Sequence, residues 1–413
     1  MKFKILPFLL FSLCLSHLII AQYAEIEQDI KTHRKGQLVI KTKPGQKVSI
    51  EQISHDFWFG AAISNGLAEN YWSASDKEMY KAKFLENFNS AVTENAVKWL
   101  SMERQKGQVN YNTVDGILEW TDANNIPLRG HNVYWGIDKF VQPWLKEMNN
   151  EELELTLKNR AYDIASRYKG RFVEYDLNNE MIHGNFYEDR LGKGITKKMA
   201  DWFLEKDPEA KLYLNDYDIL TGVWLDRYMT QIRELLDQGV PLAGIGVQGH
   251  LHAQTFDRDA LRRSLDSLAT FGLPIRVTEF NMPGQRSKWV DNRKEHLTEE
   301  QEIQKAKDIV DYYKICFAHP AVEGILMWGF WEGANWIPAS SLYKRDWSPT
   351  PAVEAYQNLI KKEWHTMEEG KANKKGLYVT DAFYGKYKIT VNGESRLIDF
   401  PKQKGTLSVD LTK

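Results

Sequence analysis

A (β/α)8 barrel, with a small β-module built from its N- and C-terminal flanks, is the fold that this 413-residue sequence predicts. Three observations carry the expectation. Eight short runs rich in β-branched and aromatic residues recur through the middle of the chain. Amphipathic segments with apolar residues at helical spacing fill the intervals, as right-handed parallel crossovers require. No glycine-rich phosphate turn follows the first run, and such a turn would usually announce an open doubly wound sheet.

Taken in order, residues 1–21 read as an address. Lys2 and Lys4 precede an apolar stretch from Ile5 to Ile20, and Ala21 supplies a small residue for cleavage, the layout of a secretory signal peptide. The stretch is short for a membrane span and is interrupted by Ser12, Ser16 and His17. Leu13 ahead of Cys14 argues against lipid attachment there. After cleavage Cys316 is the remaining cysteine, so no intrachain disulfide is expected and a large core must stabilise an exported protein. Residues 22–53 form an N-terminal β segment, in which Leu38–Lys43 and Lys47–Gln52 alternate around Pro44-Gly45, a hairpin signal.

The barrel is expected over 54–365. Its runs are Phe57–Ile63, Ser90–Glu94, Pro127–Val133, Phe172–Asn179, Lys211–Asp216, Ala243–Gln248, Pro274–Glu279 and Glu323–Trp328. Their ends lie roughly 30 to 50 residues apart, enough for one strand and one crossover helix. Leu225, Met229, Ile232 and Leu236 form one helical stripe closed by Gly239; Leu261, Leu265 and Leu268 form another closed by Gly272. Thr298 to Gln301 reads as a capping box. In the extension 366–413, Gly376–Thr380, Lys386–Val391 and Thr406–Leu411 alternate, with Asn392-Gly393 as a turn. The two flanks should join into one module opposite the catalytic face, with a role in stability or attachment.

Composition narrows function. Lysine and arginine total 54 against 56 acids, a net charge of −2, which argues against a nucleic-acid or anionic-membrane partner. Fourteen tryptophans, with 19 tyrosines and 18 phenylalanines, suit flat platforms for sugar rings as well as a core. No cluster has metal-ligand spacing, so neither metal nor cofactor is expected; His183 near Glu188 reads as loop polarity. Barrel chemistry sits at the C-terminal ends of strands. Those positions hold Glu94 and Asn95, His131, Asn179 and Glu180, Gln248 and His250, Glu279, and Trp328. Glu180 ends the fourth run and Glu279 the seventh, on strands that face each other across a barrel mouth. Two such carboxylates, roughly 5–5.5 Å apart, are what glycoside cleavage with retention needs.

Several ordered motifs give the chain a family likeness. Thr93 to Trp99 (TENAVKW), Arg129 to Trp135 (RGHNVYW), Asp176 to Glu180 (DLNNE), Asn215 to Tyr217 (NDY), Gly244 to Leu251 (GIGVQGHL), Val277 to Phe280 (VTEF), and Met327 to Phe330 with Trp336 resemble glycoside hydrolase family 10. That is the family of retaining endo-β-1,4-xylanases, and the likeness runs from Ser54 to Trp364. The stretches Asn179 to Phe186 and Gly130 to Val133 are most similar to its plant-type branch. The resemblance implies Glu180 as acid/base and Glu279 as nucleophile, with Asn179 donating to the sugar 2-hydroxyl. It implies that Gln248 and His250 hold the two carboxylates. Glu94, Asn95, Lys98, His131, Trp135, Trp328 and Trp336 would bind the glycone, and Tyr217 would form a leaving-group surface. Trp99 reads as packing.

Two departures stand out. Asn281 occupies a place where the family usually has an acid, and is expected to hydrogen-bond His250; Gly136 stands where a histidine commonly follows Trp135. The implied activity is cofactor-free, secreted cleavage of xylan. The alternatives are a barrel glycosidase for another β-1,4-glycan, such as a cellulase or mannanase, and a non-catalytic carbohydrate-binding barrel.

Overall fold

The computed structural model describes residues 24–412. The expected signal segment, with Cys14, lies outside the described residues. Two strands, β1 (Lys35–Lys41) and β2 (Lys47–His55), come first. The barrel strands follow: β3 (Trp58–Ile63), β4 (Ser90–Thr93), β5 (Leu128–Gly130), β6 (Tyr134–Trp135), β7 (Glu174–Asn179), β8 (Lys211–Asp216), β9 (Gly244–Val247), β10 (Ile275–Phe280) and β11 (Val322–Met327). Last come β12 (Met367–Lys371), β13 (Leu377–Phe383), β14 (Gly385–Val391), β15 (Glu394–Phe400) and β16 (Thr406–Asp410).

The order β5-β4-β3-β11-β10-β9-β8-β7-β6, closed by a β5–β7 pairing, makes an eight-stranded parallel barrel. Its third staves are β5 and β6, both parallel to β7. The run expected over Pro127–Val133 is therefore two short pieces, interrupted at residues 131–133 where the chain turns His131 and Asn132 inward. The crossover helices obey their patterns unevenly. Leu261, Leu265 and Leu268 are all buried in the helix Arg258–Ala269. In Leu225–Asp237 the buried positions are Tyr228, Ile232 and Leu235, so the stripe is rotated from the one expected on Leu225, Met229 and Leu236. Tyr228 turns inward because its hydroxyl donates to the Gly246 carbonyl at 2.8 Å, a partner that hydrophobicity does not reveal. The Thr298–Gln301 capping box is formed in both directions, at 2.9 and 3.3 Å.

The barrel interior is ionic near the N-terminal ends of its strands. Arg129 (β5), fully buried, binds both Glu174 and Asp176 (β7). Arg276 (β10) grips Glu174 through Nε and Nη2 at 3.0 and 2.9 Å, and its guanidinium stacks 4.1 Å from the Trp58 ring centre. Burial alone would raise the Glu174 carboxyl, but the Arg276 and Arg129 charges hold it down at about 2. Asp176 also accepts from His131 Nδ1 at 2.8 Å, which ties this network to the opposite rim.

The chain forms two compact units: residues 58–310 with 321–358, and residues 24–57 with 311–320 and 359–412. In the second, strands of both flanks share sheets, ordered β13-β1-β16 and β12-β2-β14-β15. The hairpin expected at Pro44-Gly45 is not made. β1 and β2 alternate correctly, but Leu38, Ile40, Val48 and Ile50 all face one core, so each strand pairs with C-terminal partners and the turn at Gly45 (φ 77°) joins two sheets. Asn392-Gly393, both at positive φ, does close a hairpin between β14 and β15.

Candidate active site

The C-terminal strand ends surround a cavity of about 510 Å³ lined by Asn95, Lys98, His131, Trp135, Glu180, Tyr217, Gln248, His250, Glu279, Trp328 and Trp336. Asn179, Glu94 and Asn281, also expected at the site, are not on its lining. Each position follows from a strand end. Glu180 leaves β7 in a left-handed conformation (φ 58°), its N–H donating to the Asn215 carbonyl at 2.8 Å, and this bend directs the side chain into the mouth. Glu279 is the fifth residue of β10 and lies on the inward side of the barrel.

Each carboxylate has its own set of donors. Glu180 accepts from Gln248 Nε2 at 2.8 Å and from Trp135 Nε1 at 2.9 Å. Glu279 accepts from Asn215 Nδ2 at 3.0 Å, and His250 Nδ1 lies 3.6 Å from its other oxygen. Burial raises both carboxyls; the charge of Glu180 raises Glu279 further, and Asp216 adds to Glu180. Two acids that repel each other in a desolvated site titrate as a pair. Lys98, pushed down by burial but held up by Glu279, donates to Asn95 Oδ1 at 2.9 Å. Burial pushes His250 down to about 3 and His131 to about 4, so both are neutral donors or acceptors rather than charges.

Asn179 is fully buried. Its Oδ1 accepts from Asn215 Nδ2 at 3.0 Å, while its Nδ2 has no partner among the described residues. A buried amide donor held by its oxygen and free at its nitrogen is suited to a ligand hydroxyl. Asn215 thus serves Asn179 and Glu279 with one amide, its own oxygen accepting from Thr278 Oγ1 at 2.7 Å. Sequence reasoning placed Asn215 in a motif without giving it a role; its position at the end of β8, among the other polar strand ends, was the available signal.

Tyr217 lies parallel to His183, 3.5 Å between ring centres. His183 bonds Asp216 through Nδ1 at 2.7 Å, a loop anchor for Tyr217. Trp99 is buried against Tyr134 and Trp144 and donates to Glu103 at 2.8 Å, and it also contributes to the cavity lining.

The expectation for Asn281 requires correction. Its amide does not go to His250. Nδ2 donates to Ser340 Oγ at 2.8 Å and the Trp328 carbonyl at 3.2 Å, and Oδ1 accepts from Trp336 Nε1 at 3.1 Å. The residue braces the tryptophan wall instead, since both of its amide hydrogens and one acceptor position are used there. Gly136 also has a local cause. A Cβ on it would meet Phe186 N at 3.2 Å and Tyr187 Cδ2 at 3.3 Å, so a side chain there requires the segment following Glu180 to give way slightly.

The family model described as glycosyl hydrolase family 10 matches residues 50–359. An endo-1,4-beta-xylanase 1 of Arabidopsis thaliana is 35% identical over 351 residues, covering 84% of this chain and 34% of that protein. An anti-sigma-I factor of Acetivibrio thermocellus is 32% identical, covering 89% of this chain and 46% of that protein. The chain therefore spans about a third to a half of the length of these relatives. Among solved structures, xylanase 10B of Thermotoga maritima superposes with a TM-score of 0.65 at 26% identity, covering 75% of this chain and 96% of that one. Xylanase 10B of Thermotoga petrophila, solved in complex with xylobiose, superposes with a TM-score of 0.66 at 26% identity, covering 75% and 95%.

Proposed function

Because the chain belongs to glycosyl hydrolase family 10, we propose that it hydrolyses internal β-1,4-xylosidic bonds of xylan with retention of configuration. The observation that carries the proposal is the buried pair Glu180 and Glu279, each with its own hydrogen-bond donors, coupled through their charges and lining one cavity.

The step needs one proton on the pair. Burial raises both carboxyls, and the charge of Glu180 raises Glu279 further. A sugar whose anomeric carbon gains positive charge favours the proton on Glu180, since it stabilises an ionised Glu279 beside it. Glu279 then attacks the anomeric carbon as the bond to the leaving oxygen breaks, and Glu180 gives its proton to that oxygen. A glycosyl ester on Glu279 results. Glu180, now ionised, takes a proton from water, whose oxygen attacks the same carbon from the opposite face and releases Glu279. Asn179 Nδ2 donates to the sugar 2-hydroxyl, a bond that strengthens in the transition state. Trp328 and Trp336 cover the glycone side and leave little room for a hydroxymethyl group, which favours xylose over glucose. Glu94, Asn95 and Lys98 bind the next sugar outward, His131 and Trp135 line the inner cleft, and Tyr217 faces the leaving group.

Export rests on the charged and apolar layout of residues 1–21. Among the described residues no helix is long and apolar enough to cross a membrane. Glu279→Ala should abolish release of aryl alcohol from an aryl β-xylobioside with folding intact; substantial residual turnover would contradict the assignment. Parallel hydrolysis of xylan, glucomannan and carboxymethyl cellulose should favour xylan, and a preference for either of the others would point to a different β-1,4-glycan.

A further inference from the structure

Trp135 Nε1 donates to Glu180 Oε2 at 2.9 Å, so the tilt of the indole fixes one carboxyl oxygen. Its own strand does little to lock that tilt, since β6 is two residues long and the next residue is Gly136, which carries no side chain to wedge it. Phe140 lies on it instead. The two rings are stacked, 3.6 Å between centres and 20° between planes. A 3₁₀ turn over Asp138–Phe140 delivers the phenyl ring, with Phe140 N donating to Ile137 O at 2.8 Å and Val141 N to Asp138 O at 3.2 Å. The turn is anchored by buried Val141 and Gln142 behind it and by the Lys146–Asp138 ion pair at 2.7 Å. Lys98 Nζ sits 4.9 Å from the Trp135 ring centre, completing the setting of the indole.

We propose that Phe140 is a positioning residue for the proton donor: by holding Trp135 flat, it fixes the hydrogen bond that aims the Glu180 carboxyl at the leaving-group oxygen. The inference rests on the reading of Glu180 as acid/base. Phe140 also lines the cavity, but it has no polar side-chain atom, so its effect on the Glu180 carboxyl runs through the stacked indole, whereas a direct contact with the sugar would weigh equally on every leaving group. Its contribution is selective by chemistry. As the bond between the anomeric carbon and the leaving oxygen breaks, a poor leaving group must receive the Glu180 proton, whereas one that departs as a stable anion need not. Misaiming the carboxyl therefore slows the first class and spares the second.

The test compares phenyl β-xylobioside with 2,4-dinitrophenyl β-xylobioside on Phe140→Ala, Phe140→Leu and Phe140→Trp. Phe140→Leu keeps apolar bulk for folding while removing the flat face. For Ala and Leu, kcat/KM on the phenyl substrate should fall roughly 10- to 100-fold, within the range of general-acid contributions, and on the dinitrophenyl substrate by less than about three-fold. Phe140→Trp, which restores a flat ring, should recover most of the loss. Equal losses on both substrates, a larger loss on the dinitrophenyl substrate, or no loss on either would overturn the proposal. Glu180→Ala run alongside separates the two ideas: if it too loses both substrates equally, the assignment of Glu180 fails, whatever Phe140 does.

Discussion

Replacing Asn281 by aspartate restores the family's usual acid and tests the correction made at that position. Asn281 is 2% exposed, and its Nδ2 donates to the Trp328 carbonyl at 3.2 Å and Ser340 Oγ at 2.8 Å. A carboxylate oxygen in its place would face that carbonyl with no hydrogen between them. Ser340 cannot simply turn to help, because its hydroxyl already donates to the Ile337 carbonyl at 2.8 Å. The retained bond from Trp336 Nε1 gains from the charge, while the lost pair of donor bonds and the stranded acceptor cost more. At typical values for a lost buried bond and an unsatisfied acceptor, Asn281→Asp should destabilise by about 2–4 kcal/mol at pH 7. Burial without a cation partner raises the folded-state value of the new carboxyl above the unfolded one of about 3.9. The deficit is therefore largest above the folded value and shrinks as pH falls, when the protonated carboxyl can donate again. Urea unfolding at pH 5 and pH 7 reads this directly, and KM for xylo-oligosaccharides should rise several-fold as the tryptophan wall loosens. A variant as stable as the parent at pH 7, with its acid limb of activity moved to higher pH, would mean that residue 281 serves His250 after all.

Other expectations follow from the same contacts. Glu174→Gln leaves Arg276 and Arg129 buried without their shared partner and should cost about 3–5 kcal/mol in urea, with kcat little changed. Because the Glu174 carboxyl is held at about 2, that contribution is present above its unfolded value of about 4.3 and is lost only as pH falls towards 2. Asp216→Asn removes a charge that raises Glu180, so the basic limb of kcat/KM should move to lower pH; an upward move would contradict the electrostatic account. Gly136→His forces a side chain against Phe186 and Tyr187 and should cost about 1–3 kcal/mol, measurable as a lower unfolding midpoint.

Much of the barrel was legible because strands buried on both faces draw on β-branched and aromatic residues, and eight runs rich in them carry their own punctuation. The strand-end carboxylates stood out only as a pair, since either glutamate alone could be an ordinary rim ion pair. The failures are local. β12 and β15 escaped notice since they are exposed and charged, with Glu368, Glu369, Glu394 and Arg396 along them, so they show no alternation. The rotation of Leu225–Asp237 turned on one tyrosine hydroxyl reaching a carbonyl. The ionic interior, Arg129 and Arg276 with Glu174 and Asp176, was invisible because each charge looks solvent-facing until its partner, on another strand and as many as 102 residues away, is known. Asn281 was misassigned because a family position suggested the partner. Its three hydrogen bonds depend on Ser340 and Trp336, which lie in a loop that no periodicity places.

Retaining cleavage depends most on Glu279 bonding to carbon while Glu180 moves the proton, and early hydrolysis of unsubstituted xylan followed by proton NMR tests it most directly. Double displacement predicts that new reducing ends of β-1,4-linked products appear first as the β anomer and only later mutarotate. If the α anomer appears first, water attacks directly, and the pair Glu180 and Glu279 does not perform the chemistry assigned to it.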